Sequence, residues 1–241
     1  MKTVLFVATA ASAVAASADA GFLGFVASVR NSGAYTIMDI FAGVSNASDK
    51  FLNVYNATST SSFYQAAGMT SKTWKPDAAG FTSTRDSIDS FMTAGTFSGG
   101  AYGGEYYASS NTNGDPNFTG SSWNATPASA AATTIPNLAG WYTGDPTSVD
   151  NGSESLAGLV GRVNGTGGAA ATRGIWVAHL VVSGNNRLLD GSDVGFSAFA
   201  SIKDGVTGAV SQASSQFLAV PAPGALALLG VAGFAARRRR A

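Results

Sequence analysis

His179 is the residue that first suggests a chemical role, because it is the single histidine in a chain of 241 residues that has no cysteine. Any Ser-His-Asp triad would have to use it, and thiolate nucleophiles, disulfides and cysteine metal sites are excluded by composition. The residue lies in the apolar run Gly174–Ser183, where a polar side chain on a strand face is far more common than a general base. Neither an HExxH motif nor a P-loop occurs. We therefore predict no catalytic residue, no cofactor and no metal.

Two acidic loops contain residues of the kind that bind calcium. The first groups Asp145, Asp150, Asn151 and Glu154, and the second is Asp190–Asp193. Carboxylate and carbonyl oxygens at flexible spacing suit a hard cation. Neither loop matches the EF-hand pattern, and the same residue types form turns without any metal. We interpret both as turns, with calcium binding as the alternative.

Aromatic residues in loop-like sequence could form a platform for sugar rings. Their faces stack on the C–H faces of sugars, and a nearby carboxylate can accept hydrogen bonds from the hydroxyls. The candidate glycan contacts are Glu105, Tyr106, Trp123 and Trp141. The alternative is that these aromatics belong to the core. A glycosidase would need two positioned carboxyl groups in one cleft, and we do not predict one.

The elements that must position these side chains are predicted to be strands. Runs rich in aromatic and β-branched residues occur at Ala34–Val44, Phe51–Asn56 and Gly174–Ser183. The first two flank the turn Ser45–Asp49, which predicts a hairpin, and the third is apolar on both alternations, as expected of a strand buried on both faces. In Val194–Ile202 the even-numbered residues share one apolar face. Short strands separated by Gly and Asn turns predict an all-β fold, an antiparallel β-sandwich.

Two segments differ from this pattern. Ser153–Val163 has apolar residues at helical spacing behind a capping serine, which favours a short helix, although Gly158 and Gly161 weaken it. The middle of the body, about 99–151, is rich in Gly, Ser, Asn and Pro, which predicts surface loops or irregular edge strands.

The N-terminal residues 1–20 have the features of a signal peptide. Lys2 supplies a positive charge, Val4–Ala16 is an unbroken run of small and apolar residues, and Ala18-Asp19-Ala20 is a cleavage signal before Gly21. Cleavage after Ala18 is the competing possibility. The body, 21–219, then carries 9 Lys and Arg against 13 Asp and Glu, a net charge of −4. A mildly acidic body argues against nucleic acid as a partner.

The C-terminal residues 220–241 contain three parts in order. The motif Val220-Pro221-Ala222-Pro223-Gly224 precedes an apolar stretch, and four arginines, Arg237, Arg238, Arg239 and Arg240, follow it. As a helix, the stretch 224–236 would reach only about 20 Å at ~1.5 Å per residue, against a hydrocarbon core of ~30 Å. The arginines are expected on the cytoplasmic side, which leaves the body outside and inserts the tail into the membrane transiently.

This three-part layout resembles the PEP-CTERM sorting family of Gram-negative bacteria. Pro221 and Pro223 match the prolines of the family motif, and Ala222 stands where glutamate is usual. The resemblance implies recognition by exosortase, a membrane-embedded transpeptidase, with exopolysaccharide as a further partner. We therefore expect an exported protein of the cell surface or extracellular matrix without catalytic activity; the alternative is a secreted carbohydrate-binding module or weak glycan-active enzyme. An uncut membrane anchor is the alternative for the tail.

Overall fold

The structure is a computed structural model that describes residues 21–66, 74, 76, 84–98, 106–108, 117–119, 133–143, 152 and 154–218. The predicted signal peptide, the sorting tail, Glu105 and Trp123 lie outside these ranges. In the described part the only helical element is the 3₁₀ turn Gly168–Ala170. No helix there is both long and apolar enough to cross a membrane.

The described chain is mostly β, as predicted, and its strands form two larger antiparallel sheets. In chain order the strands are β1 (Phe22–Ser32), β2 (Tyr35–Val44), β3 (Lys50–Ser59), β4 (Phe91–Met92), β5 (Thr96–Ser98), β6 (Tyr106–Ala108), β7 (Asn117–Phe118), β8 (Ala139–Tyr142), β9 (Glu154–Ser155), β10 (Arg162–Asn164), β11 (Arg173–Ser183), β12 (Phe196–Lys203) and β13 (Val210–Gln216). Sheet A has the order β10-β1-β2-β11-β4, with β9 also paired to β11, and sheet B has the order β13-β12-β3-β8-β7. Strands β5 and β6 pair separately.

One buried apolar cluster contains residues from both sheets. In sheet A it takes alternate residues of β2 (Met38, Ile40, Ala42 and Val44), and in sheet B alternate residues of β12 (Phe196, Ala198, Ala200 and Ile202). We call the faces that carry these residues the inner faces. The predicted alternation in Val194–Ile202 is confirmed, because every residue assigned to its apolar face is buried.

Sheet A is buried on its outer face as well. A second apolar cluster lies there and includes Val26, Phe41 and Trp176, which are cross-strand neighbours on β1, β2 and β11. Strand β11 is buried from Gly174 to Val182, so the prediction of a strand covered on both faces is confirmed.

The predicted hairpin between Ala34–Val44 and Phe51–Asn56 is wrong, although both strands form. Strand β2 pairs with β1 and β11 in sheet A, whereas β3 pairs with β12 and β8 in sheet B. The connection is held by the buried carboxylate of Asp49, which accepts hydrogen bonds from the backbone of Asn46 at 2.9 Å and Gly205 at 3.1 Å. Because β2 is apolar on both faces, it is covered on both sides by apolar clusters, and its buried backbone takes a hydrogen-bonding neighbour on each edge, here β1 and β11.

The predicted helix in Ser153–Val163 is also wrong. The segment forms β9 and β10, joined by a connection in which Gly158 and Gly161 have φ values of +77° and +56°. These values lie in the left-handed region, which ends a right-handed helix. A Cβ on Gly161 would approach the Val29 carbonyl oxygen to 1.9 Å, so the close packing on β1 also requires glycine.

Part of the predicted loop-rich middle is a core strand. Strand β8 lies between β3 and β7 in sheet B, and its residues Ala139 and Trp141 are buried. The prediction of surface loops or irregular edge strands for about 99–151 is therefore wrong at 139–142, whereas the two-residue strand β7 at the edge of sheet B agrees with it. The low charge and high Gly and Ser content of the segment conceal a strand of only four residues.

Candidate functional site

The outer face of sheet A contains a buried polar cluster, which we define as Arg30, Asp39 and His179. Asp39 and His179 are cross-strand neighbours on β2 and β11, and Arg30 lies on β1 on the other side of Asp39. The Asp39 carboxylate receives a hydrogen bond from His179 Nδ1 at 2.6 Å on one oxygen and from Arg30 Nη1 on the other. Both Asp39 and His179 are fully buried.

A β-bulge in β11 makes this arrangement possible. Trp176 pairs with Phe41 and Ala178 pairs with Ile40, so Val177 is the extra residue. Residues three positions apart normally point to opposite faces of a strand. The bulge brings Trp176 and His179 to the same outer face, where the rings meet edge to face with centroids 5.8 Å apart.

The segment 84–90 covers the buried side chains of Asp39 and His179, while the Arg30 side chain remains 21% exposed. The Ser87 carbonyl accepts a hydrogen bond from His179 Nε2 at 2.8 Å, and the Arg85 carbonyl accepts one from Arg30 Nη2. Phe91, which follows this segment, stacks on the His179 ring with centroids 4.7 Å apart. Both ring nitrogens of His179 thus lie within hydrogen-bond distance of fixed protein oxygens, which leaves neither nitrogen facing a nucleophile.

The charge on Asp39 is stabilised by its partners. Burial alone would raise the pKa of the Asp39 carboxyl, but the charge and hydrogen bond of His179, and then those of Arg30, outweigh burial and leave the pKa below its usual range. The ionised carboxylate can only accept hydrogen bonds, which agrees with donors on both of its oxygens. Through the hydrogen bonds of His179 and Arg30 to its backbone carbonyls, the polar cluster therefore anchors the segment 84–90 on sheet A.

The acidic residues of the second predicted calcium loop bind protein groups. Asp190 accepts hydrogen bonds from the backbone and hydroxyl of Ser192 at 2.8 and 2.6 Å. Asp193 binds Arg187 through both carboxylate oxygens at 2.8 and 2.5 Å. Glu154, from the first loop, pairs with Arg85 at 2.8 Å, and the other members of that loop lie outside the described residues. In the described part of the chain no three acidic or histidine side chains gather as a metal site.

The predicted aromatic platform is not assembled from the residues that the structure describes. Trp141 and Trp74 are buried in the core shared by the two sheets, so neither ring face can meet a sugar. Tyr106 lies in β6, and Glu105 and Trp123 are outside the described ranges.

A partly exposed aromatic pair lies instead on the outer face of sheet B. Tyr55 on β3 and Phe199 on β12 are cross-strand neighbours, and their rings stack with centroids 5.2 Å apart and an interplanar angle of 23°. Phe199 is 37% exposed. The sequence contains a signal for this pair that our prediction missed, because Phe199 falls on the odd-numbered, outward side of the alternation in Val194–Ile202.

The row next to the aromatic pair holds two buried polar atoms. Ser201 Oγ and Asn53 Oδ1 belong to cross-strand neighbours and have no hydrogen-bond partner among the described residues. By contrast, the buried hydroxyl of Ser215 on β13 accepts a hydrogen bond from the Phe25 amide at 2.9 Å and donates one to the Thr166 carbonyl at 2.8 Å.

These two serines give a matched test. We expect Ser201→Ala to leave the free energy of unfolding unchanged or to raise it by up to about 1 kcal/mol, because the hydroxyl has lost water without gaining a bond. We expect Ser215→Ala to lower it by about 1–3 kcal/mol, because two backbone groups lose their partner. Urea unfolding of both variants measures the difference. Equal destabilisation would show that the Ser201 hydroxyl has a partner.

Comparison of the chain with protein-family models, with curated proteins and with solved structures finds no match in any of the three.

Proposed function

We propose that the chain is an exported protein of the bacterial cell surface or extracellular matrix, whose body has no catalytic role and whose tail is processed by an exosortase-type transpeptidase. The enclosure of His179 supports the non-catalytic part most directly. The single histidine is buried, both of its ring nitrogens contact fixed protein oxygens, and the chain contains no cysteine. The buried titratable groups Asp39 and His179 thus stabilise the fold by binding other parts of the chain.

For the body we propose an antiparallel β-sandwich. One buried cluster takes residues from the inner faces of sheets A and B, and backbone amides of β1 donate to side-chain hydroxyls of β13 at Ser211 and Ser215. These bonds join one strand of each sheet. Such a core can stabilise an exported domain of this length without disulfides.

The export and sorting steps follow from the two ends of the sequence. An arginine at the bilayer centre costs at least about 2.5 kcal/mol on insertion scales, so Arg237 and the three arginines after it halt the chain on the cytoplasmic side. Pro221 and Pro223 favour an extended backbone before the apolar stretch. The Val220–Gly224 motif is then presented near the outer surface of the membrane, where a membrane-embedded enzyme can reach it.

Intact-mass measurement of protein recovered from the cell surface tests the proposal. We expect a species that begins after the signal peptide and has lost the residues that follow the Val220–Gly224 motif. Replacing Pro221 and Pro223 by alanine is expected to leave an uncut, membrane-bound form, and replacing the four arginines by serine to let an uncut form pass through the membrane. A surface species that still ends in Ala241 would show that the tail is a permanent anchor.

A binding module for carbohydrate is the second candidate function, and the partly exposed Tyr55–Phe199 pair favours it. Stacked aromatic rings on an outward sheet face provide apolar area of the kind that sugar rings cover. A hydrolase panel on the purified full chain tests the weak-enzyme form of this candidate. Turnover abolished by an acid-to-amide substitution would contradict the non-catalytic proposal.

A further inference from the structure

An open groove of about 250 Å³ lies beside the aromatic pair on sheet B. Its walls come from the ends of β3, β12 and β13 and from the chain just after β10. The lining residues are Asn56, Thr166, Ser197, Ala198, Phe199, Ser214, Ser215 and Gln216. None of these residues carries a charge, and all but Ala198 and Phe199 offer a hydroxyl or an amide.

A bulge in β3 places Asn56 at this groove. Tyr55 pairs with Phe199 and Thr58 pairs with Ser197, so two residues of β3 oppose one residue of β12. Asn56 is the first of these two, is exposed, and has a φ of +50°, a conformation that asparagine tolerates better than most residues. Bulges redirect side chains and occur often next to binding sites.

Ser214 and Gln216 supply further exposed polar groups of the lining, whereas the buried Ser215 hydroxyl is already bonded within the fold. Ser214 and Gln216 are exposed on β13, and they are the cross-strand neighbours of Phe199 and Ser197. Ser197 shares a hydrogen bond of 2.7 Å with Thr58, in which either hydroxyl can donate. The groove therefore combines one aromatic wall with hydroxyl and amide groups that can both donate and accept.

We propose that this groove binds a neutral polysaccharide. Phe199, whose ring is stacked on that of Tyr55, contributes the apolar surface for the C–H face of a sugar ring, and Asn56, Ser214 and Gln216 exchange hydrogen bonds with its hydroxyls. A lipid surface would leave these polar groups unpaired. The inference deepens the binding-module form of the proposed function and depends on it only in requiring that the body be exported to where such polymers occur.

The charge distribution on this face favours a neutral ligand over an anionic one. Lys203 and Lys50 are cross-strand neighbours at the far end of β12 and β3. Lys203 lies four positions after Phe199, which is roughly 13 Å along a strand at ~3.3 Å per residue. Exposed charges at that distance are largely screened at physiological salt.

Native affinity electrophoresis of the full chain tests the proposal. The chain is held in a non-ionic detergent without a sugar headgroup, because a glycoside detergent would compete for the site. The gels contain galactomannan, glucomannan or hydroxyethyl cellulose as neutral probes, and alginate as the anionic probe. We expect at least one neutral polymer to retard the chain and alginate not to.

Matched variants locate the site. Phe199→Ala is expected to weaken retardation roughly tenfold in apparent dissociation constant, as for an aromatic anchor, while Phe199→Tyr keeps a ring and retains binding. Asn56→Gly allows the same positive φ and removes the side-chain amide, so the chain should still fold. We expect it to weaken polymer binding less than Phe199→Ala does. Val206→Ala is the control, because Val206 is 78% exposed in the turn at the opposite end of β12.

Three results would overturn the proposal. They are no retardation by any neutral polymer, equal retardation of wild type, Phe199→Ala and Asn56→Gly, or retardation by alginate alone. Retardation by alginate alone would indicate that an anionic polymer binds at Lys50 and Lys203 instead. Binding is measured on the uncut chain, so it does not depend on tail processing. Loss of binding with normal processing contradicts the groove alone, and an unprocessed tail with normal binding contradicts the sorting proposal alone.

Discussion

Asp39→Asn is expected to lower the free energy of unfolding by about 3–5 kcal/mol, the range for removing one partner from a buried ion pair. The amide oxygen could still accept the hydrogen bond from His179 Nδ1. The amide nitrogen, however, would place its hydrogens against the guanidinium of Arg30, which also only donates. The substitution keeps the shape of the side chain and removes the charge on which Arg30 and His179 converge.

Asp193→Asn is the matched control, because it removes a carboxylate from another arginine pair. Asp193 and Arg187 lie at the surface, where solvent competes for both groups, and we expect a much smaller loss. Urea unfolding of the full chain, followed by tryptophan fluorescence, compares the two variants with wild type. Equal losses would contradict the assignment of Asp39 as the centre of a buried polar cluster.

The same carboxylate gives a pH dependence with a definite sign. The pKa of Asp39 is lower in the folded chain than its ordinary value of about 3.9 in an unfolded one. The unfolded state therefore binds the proton first, so the contribution of Asp39 is complete above about pH 4 and is lost as pH falls through the folded pKa. The difference in stability between wild type and Asp39→Asn should shrink over that acid range. A difference that stays constant would mean that the carboxylate is not the source of the effect.

The sequence predicted the long strands β2, β3, β11 and β12, but it missed β1, β8 and β13, and it did not predict how the strands pair. The alternation in Val194–Ile202 and the doubly apolar run Gly174–Ser183 each reflect local burial, which a sequence pattern records directly. Pairing depends on which distant edge each strand meets. The proximity of Ala34–Val44 and Phe51–Asn56 favoured a hairpin, but both edges of β2 are hydrogen-bonded to β1 and β11, and β3 joins the other sheet.

The polar cluster shows why a site can escape sequence analysis. His179 and Asp39 are 140 residues apart in the chain, and their contact requires a register between β2 and β11 that includes one bulge. Without that bulge, Trp176 and His179 would lie on opposite faces of the strand. Nothing in the local pattern marks Val177 as the extra residue. The outward position of Phe199, by contrast, follows from the same alternation in Val194–Ile202 that predicted the strand.

Trp141→Ala is expected to cost about 3–5 kcal/mol of unfolding free energy, because it leaves a cavity the size of an indole in the core. Trp141 is fully buried on β8 and pairs with Val54 of β3 on one side and with Phe118 of β7 on the other. A short strand with so few residues depends strongly on each buried side chain. The loss should therefore also loosen β7, which in the described chain pairs only with β8.

Tyr142→Ala is the control for this prediction, because the adjacent side chain points outward and is 40% exposed. We expect a change within about 0.5 kcal/mol, as for most surface substitutions. Urea unfolding measures both variants, and affinity electrophoresis with the neutral polymers measures binding. The hypothesis that Trp141 contacts a glycan makes the opposite prediction, an unchanged stability with weakened binding. Since the ring is enclosed on all sides, stability should respond first, and any loss of binding should follow unfolding.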